Sequence, residues 1–329
     1  MPYNLKDSVR HKFDRNHYNK RDWKTYEQGL RDRGSLTIWF CEDAIAAWHP
    51  PADAKKKKGG QVRYTDLAIE TSQTLRIIYN HGLRQTEGFM LSLVQLMKLD
   101  ITIPDHTTIS RRSSDLAVIN KAVSPNSNDK IVVILDSTGL KVVGEKEWMN
   151  CKHGTKQRKV WRKLHLCMDA DGRILSSTLT LHLTSDPSQV DELLQGVDVA
   201  IDTFIGDGGY DSPAVYAALT KHQERHKQEH QIQAIVPPNI GFQEEKDSDP
   251  LQRLGNIHMI EDKGKLCWQN EMDYGRRARV ENSMHRYKAI IGNKLRSKKF
   301  KNQITETKIA VKILNRMIDL GMPRAQKAA

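Results

Sequence analysis

Cysteine is scarce: Cys41, Cys151, Cys167 and Cys267 are the only four in 329 residues, and no CxxC pair occurs. Nothing in that spacing calls for disulfides, and it fits a reducing compartment. Cys151 and His153 are spaced as two metal ligands, but two more would have to come from distant parts of the chain, so no zinc is expected. Long apolar runs are missing too. No uninterrupted stretch approaches the length that crosses a bilayer, so no membrane is expected as a partner. The opening MPYNLKDSVRHKF lacks the apolar core of a secretory leader. Acidic residues are the minority, 40 Asp and Glu against 52 Lys and Arg, for a formal charge of +12. That imbalance points to an anionic partner, most simply nucleic acid. With 38% apolar residues the chain still has the means to build a core, and 329 residues suffice for two domains or one large one with appendages.

Residues 1–60 read as an N-terminal basic arm and linker, polar, with Trp23, Trp39 and Trp48 scattered through them and a breaker-rich basic stretch, HPPADAKKKKGG, at 49–60. Residues 66–115 read as compact helices. Leu67, Leu75 and Ile78 support one; Phe89, Leu93, Leu96 and Met97 support a second over about 85–98. Pro104 then breaks the chain, and Asp105 is placed to cap a short helix carrying His106, Thr107, Thr108, Ser110, Arg111 and Arg112. Short polar and basic side chains after a packed helix suit helix-turn-helix geometry, with a polar packing helix as the plainer reading.

From residue 129 the period changes. DKIVVILDS, KVWRKLHLCMD and DGRILSSTLTLHLTS read as three strands in an antiparallel meander, with turn residues after Asp136. DPSQVDELLQGV reads as a helix, DTFIGDGGYDS as a fourth strand entering a glycine turn, and DSPAVYAALTKH as a helix capped by Asp211 or Ser212. QAIVPPN contains a short strand, GFQEEKDSDPLQRLGN looks like loop, and the tail carries a final helix with apolar residues at Ile309, Ile313, Leu314, Met317 and Leu320.

Asp136 interrupts the most apolar run of the chain. By itself it reads as a turn residue. Asp207 lies at the end of the fourth strand, again beside turn residues, so neighbouring strands would bring both carboxylates to one sheet edge. Two unpaired carboxylates repel, and divalent cations with a preference for oxygen remove that penalty. The third candidate is Glu281 in YGRRARVENSMHRYKAIIG, a helix with Val280, Met284, Tyr287 and Ile291 on its apolar stripe and Arg277, Glu281 and Lys288 on the next. Between Arg276 and Lys301 there are ten Lys or Arg and one acid, Glu281. Such a glutamate is either a local ion-pair partner or a metal ligand beside a phosphate track; with Asp136 and Asp207 in view, the ligand reading is preferred. Two carboxylate-held ions suit phosphoryl transfer.

Here a resemblance enters. LDSTGLKVVGEKEW and GDGGYDS resemble the segments that hold the first two acids in bacterial insertion-sequence transposases of the Asp-Asp-Glu class, in particular the number-five insertion-sequence family. Tyr274, Arg277, Glu281 and Lys288, spaced by two, three and six intervening residues, match the third segment, and RKVWRKLHLCMD is similar to that family's second strand. The likeness runs from about residue 30 to 320, with no departure at the three acids. It implies an α/β fold with a ribonuclease H-like mixed five-stranded sheet flanked by helices, occupying 126–329 with a C-terminal helix; the helices read above form a small all-helical DNA-binding domain before it, at 61–125. It implies an enzyme dependent on Mg²⁺, with Mn²⁺ as a substitute and two ions per site held by Asp136, Asp207 and Glu281. It would bind terminal inverted repeats of double-stranded DNA, cleave there with water, and pass the freed 3′-hydroxyl to target DNA.

Arg277 and Lys288 would then bind phosphate or the element end, and Tyr274 would position DNA or simply pack. Arg276 and Arg279 belong to the same basic field. Lys163 and His165 are candidates to face DNA, with a structural role as the simpler reading of His165. Joining two ends calls for a homodimer or higher oligomer in the DNA complex, and a bacterial cytoplasmic, nucleoid-associated location follows. The rivals are a domesticated nuclease of the same fold, a non-catalytic DNA-binding regulator whose acids are structural, and a basic structural protein that binds nucleic acid without cutting it.

Overall fold

The computed structural model describes residues 23–51, 59–118, 131–143, 160–239 and 250–321. Cys151, His153, the lysines of 55–58 and the junction at 125/126 lie outside them. The described residues open with six helices: α1 (Trp23–Arg33), α2 (Leu36–Trp39), α3 (Glu42–Ala46), α4 (Asp66–Ile78), α5 (Leu83–Leu96) and α6 (His106–Arg112). Much of the expected arm is therefore folded. Trp39, Phe40 and Trp48 are buried, and the Trp48 indole donates to the Thr102 carbonyl at 2.8 Å. The tryptophans look scattered in the sequence because α2 and α3 have only four and five residues, too few for a helical period to repeat. The apolar stripes of α4 and α5 are also rotated from expectation. Ile69 and Leu75 are buried on α4 and Met90 and Leu93 on α5, while Leu67, Leu96 and Met97 are exposed.

The sheet begins with β1 (Ile131–Val142), β2 (Trp161–Asp169) and β3 (Ile174–Leu181), paired antiparallel in chain order. After a 3₁₀ turn (Pro187–Gln189) and α7 (Val190–Gln195), β4 (Ile201–Ile205) joins the free edge of β1 in parallel. α8 (Pro213–Arg225) and β5 (Gln233–Ile235) complete the order β3-β2-β1-β4-β5, the mixed five-stranded arrangement that the resemblance implies. α9 (Leu251–Lys263), α10 (Lys265–Glu271) and α11 (Ala278–Ile290) follow, then the two-residue β6 (Lys294–Leu295), which adds a sixth strand beside the distal half of β1, and α12 (Phe300–Asp319).

Three expectations change here. β1 does not stop at Asp136: pairing with β2 continues through Ser137 and Gly139 to Lys141. Gly139 serves packing rather than a turn, since a Cβ there would lie 3.2 Å from the Trp161 ring. Of the expected loop at 241–256, residues 251–256 instead begin α9, and 241–249 lie outside the described residues. The short apolar face of α9, with Ile257 buried, is hidden in a polar sequence. Of the two cap candidates, Ser212 takes the N-cap position of α8, without a side-chain cap bond, and Asp211 is used elsewhere, as described below.

One face of the sheet packs on α7 and α8 through Val133, Leu135, Cys167, Val190, Leu193 and Val215, and the other on α11 and α12 through Ile134, Leu164, Leu166, Val280, Tyr287 and Leu314. α12 closes two cores at once. Ala310, Val311 and Leu314 face the sheet, while Ile309, Ile313 and Met317 pack with Trp39, Ile69 and Leu75 of the helical part. Its polar residues fix the register. Asn315 exchanges two hydrogen bonds with the Ile174 backbone, at 2.9 and 2.8 Å, and Glu306 accepts from the Arg296 and Ser297 amides at 2.9 Å. Among the described residues no helix is long and apolar enough to cross a membrane.

Candidate active site

The last paired rung between β1 and β4 is Ile134 with Ile205. Two residues further along each strand stand Asp136 and Asp207, so parallel pairing sets the two carboxylates side by side where β4 leaves the sheet. Asp136 is held by β2 on its other side, opposite Leu166, and its Oδ1 accepts the Ser137 amide at 2.7 Å. Burial pushes its pKa above the usual carboxylate range, against the pull of the Ser137 amide and Arg277. Asp207 heads a 3₁₀ turn (Gly208–Tyr210) and accepts the Gly209 amide at 2.9 Å. The glycines there leave little room for a side chain. A Cβ on Gly206 would meet Tyr210 at 3.0 Å, and one on Gly209 would meet Asp207 Oδ1 at 2.9 Å.

α11 supplies the third acid. Its buried stripe, Val280, Met284 and Tyr287, seats it against the sheet, and a preceding 3₁₀ turn (Tyr274–Arg277) aims Arg277 back at the strand ends. Arg277 is the hub. Its Nη2 lies 3.1 Å from Asp136 Oδ2 and 3.8 Å from Asp207 Oδ2, and its Nη1 lies 2.7 Å from Glu281 Oε1. Burial lowers the guanidinium's pKa, but Asp136 and its other neighbours outweigh that and raise it. The three acids named from sequence thus meet around a single cation. Among the described residues no His, Cys, Asp and Glu side chains stand grouped as a ready three-ligand metal cage. The donor set nevertheless suits a hard divalent ion: every donor is a carboxylate oxygen, and a positive group already sits among them.

The remaining sequence candidates divide by what holds them. Tyr274 is half-buried, its ring 5.3 Å from that of Trp268, and burial raises its pKa. It lines a cavity of about 630 Å³ beside the Asp207 turn, with Gly208, Gly209, Pro237, Asn239 and Lys265. Lys288 is exposed two turns beyond Glu281. Arg276 pairs with Asp273 at 2.5 Å, and Arg279 donates to the Ala170 carbonyl. The Lys163 ammonium contacts Asp186 and the Thr184 carbonyl, and His165 is fully buried, as its simpler reading expects.

On α6 the Asp105 cap forms as expected, its Oδ1 accepting the Thr107 and Thr108 amides at 2.9 Å. His106 Nδ1 sits 2.8 Å from Glu87 Oε2. Arg112 is tied to the Tyr64 carbonyl and Asp66, whereas Thr107 and Arg111 line an open cleft of about 450 Å³ with Arg84, Ser110 and Lys299.

Sequence reasoning gave Asp211 only a capping role and missed its long-range one. Its carboxylate is almost wholly buried, accepting Arg253 Nε at 2.9 Å and the Asn239 amide at 2.9 Å, and so fastens α9 to the turn that carries Asp207. No local pattern marks it, because both partners lie more than 25 residues away.

A family model described as "Transposase DDE domain" matches residues 127–315, and a second model with the same description matches residues 31–145. Among solved structures, the Drosophila P element transposase strand transfer complex is 11% identical, covering 80% of this chain and 82% of that one with a TM-score of 0.28. The Mos1 strand transfer complex is 12% identical, covering 83% of this chain and 82% of that one with a TM-score of 0.19. Neither structural likeness is close enough to carry an argument. The match over 127–315 takes in the whole sheet, all three acids and most of α12, more than half of the sequence, and the chain belongs to the DDE transposases.

Proposed function

We propose that this transposase binds the terminal inverted repeats of its own insertion sequence, cleaves DNA there with water, and joins the freed 3′-hydroxyl to target DNA. The observation that carries the reading is the convergence of Asp136, Asp207 and Glu281 on the Arg277 guanidinium at one end of the sheet. Asp136, Asp207 and Glu281 would hold two Mg²⁺ ions, with Mn²⁺ as a substitute, which would supply activation of the attacking oxygen and stabilisation of the leaving one. Arg277 has a second use once cations take its place. Its planar fork matches a phosphate as well as a carboxylate, so it would turn to the DNA backbone of the bound end.

Lys288, Arg276 and Arg279 extend a basic track along and before α11, and Tyr274 stands at the lip of a cavity beside Asp207. Residues 61–125 would form a DNA-binding unit in which α6 presents His106, Thr107 and Arg111, with Arg112 bracing it from behind. Two ends brought together need a homodimer or larger assembly, acting at the bacterial nucleoid.

The test is strand transfer of a pre-cut element end with Mg²⁺. Wild type should join it to target DNA and Glu281→Gln should not, while both bind the end. Full activity in Glu281→Gln would overturn the assignment. Cleavage without joining would mark a nuclease of the same fold.

A further inference from the structure

The sheet end that carries the acids holds a fourth carboxylate. Asp186 directly precedes Pro187, where an Asp usually caps the helix that follows. Here its backbone is already helical, φ −63° and ψ −45°, and its side chain makes no cap bond. It turns to the sheet instead. Lys163 Nζ lies 3.2 Å from Oδ2, and His165 Nδ1 lies 3.1 Å from Oδ1, out of line for a full hydrogen bond. Ser137 also favours the charged form of Asp186. His165 is held in turn, its Nε2 2.8 Å from Thr180 Oγ1. Ser137 stands opposite His165 in the β1–β2 register, on the face opposite Asp136 and one residue along from it.

A second observation points to the same place. Tyr210 is 1% exposed, and its hydroxyl has no hydrogen-bond partner among the described residues. Burial and then the charges of Asp186, Asp136 and Asp207, in that order, oppose its ionisation. Burial also acts against the charge on Asp186, but the contacts with His165, Ser137 and Lys163 outweigh it and hold its pKa at about 2. Asp186 is therefore a fixed negative charge at neutral pH, close enough to act on Asp136.

We propose that Asp186 is a positioning residue for the phosphoryl-transfer site: held against Lys163 and His165, it braces the stretch of β2 that pairs with Ser137 and so the rung of β1 that aims Asp136, and it adds a fixed charge to the field that draws divalent ions. This rests on the reading of Asp136, Asp207 and Glu281 as metal ligands. Asp186 bonds to none of the proposed ligands; it acts through Lys163 and His165 on the strand that pairs with β1.

The experiment measures Mn²⁺ binding to the full chain by loss of the free-ion paramagnetic signal, with thermal unfolding and strand transfer against Mn²⁺ in parallel. Asp186→Asn keeps the shape and removes the charge. It should stay folded, bind the element end without metal as wild type does, bind Mn²⁺ about five- to tenfold more weakly, and need correspondingly more Mn²⁺ for half-maximal strand transfer. A purely structural Asp186 would lower the unfolding temperature and leave Mn²⁺ affinity unchanged, and that result would overturn the proposal. Should Asp186→Asn fail to fold, Ser137→Ala takes its place, with a weaker Mn²⁺ affinity expected and an unchanged one contradicting. Asp136→Asn is the control. If it too leaves Mn²⁺ binding intact, the metal-ligand reading itself falls; if it abolishes binding while Asp186→Asn does not, only the role of Asp186 falls.

Discussion

Arg277 Nη2 lies 3.1 Å from Asp136 Oδ2, although 141 residues separate the two in the chain. The same guanidinium reaches Asp207 and Glu281, so one cation is shared by the three carboxylates proposed as metal ligands. This sets up a direct competition between the arginine and divalent cations for the same oxygens.

The first prediction follows from that competition. Arg277→Ala leaves Asp136, Asp207 and Glu281 facing one another without a counter-charge. The metal-free protein should lose about 1–2 kcal/mol, a figure held low because Asp207 and Glu281 are well exposed. Added Mg²⁺ should raise its unfolding temperature more than it raises that of wild type. Thermal denaturation with and without Mg²⁺ checks both.

Gly209 gives a second. An added Cβ would sit 2.9 Å from Asp207 Oδ1, so Gly209→Ala must push the carboxylate or the turn aside. Strand transfer should fall tenfold or more, on the order of what a displacement of about 1 Å costs at a reacting centre. The turn is exposed at Gly209, and the unfolding temperature should change little. Single-turnover strand transfer beside a melting curve separates the two effects.

The pH dependence of stability supplies a third. The folded chain holds Asp186 at about pKa 2, below the unfolded value near 3.8, so the folded state binds that proton less tightly. Its stabilisation is fully present above about pH 4 and is lost as pH falls through 2. After discounting for solvent screening, about 1 kcal/mol is involved. Urea denaturation at pH 5 and pH 2.5 should show the gap between wild type and Asp186→Asn shrinking at the lower pH.

A fourth concerns the cleft on α6. Arg111→Ala together with Lys299→Ala removes two cations from its lining. If each meets one phosphate, the slope of log K against log salt should become shallower by about 1.8. Binding to the element end in a salt titration measures this. An unchanged slope would take the cleft away from DNA.

The three acids were legible in the sequence because each sits where a pattern breaks: a carboxylate inside the apolar run of β1, another at a glycine turn, and a lone acid in a basic helix. The Asp105 cap and the buried stripe of α11 were legible for similar reasons, since both depend on residues within two turns. What stayed hidden depends on distant partners. Asp211 finds Arg253, Asp186 finds Lys163 and His165, and Arg277 finds Asp136, none of which local spacing encodes. The expected turn after Asp136 failed for the same reason, because pairing with β2 overrides the turn preference of Ser137, Thr138 and Gly139.

The most direct measurement is an anomalous difference map at the manganese edge, from crystals of the chain bound to a pre-cut element end and soaked in Mn²⁺. Density should appear between Asp136, Asp207 and Glu281, with the Arg277 guanidinium withdrawn from them toward a DNA phosphate. Crystals with the end bound and Mn²⁺ in solution, but no density among those three carboxylates, would contradict it.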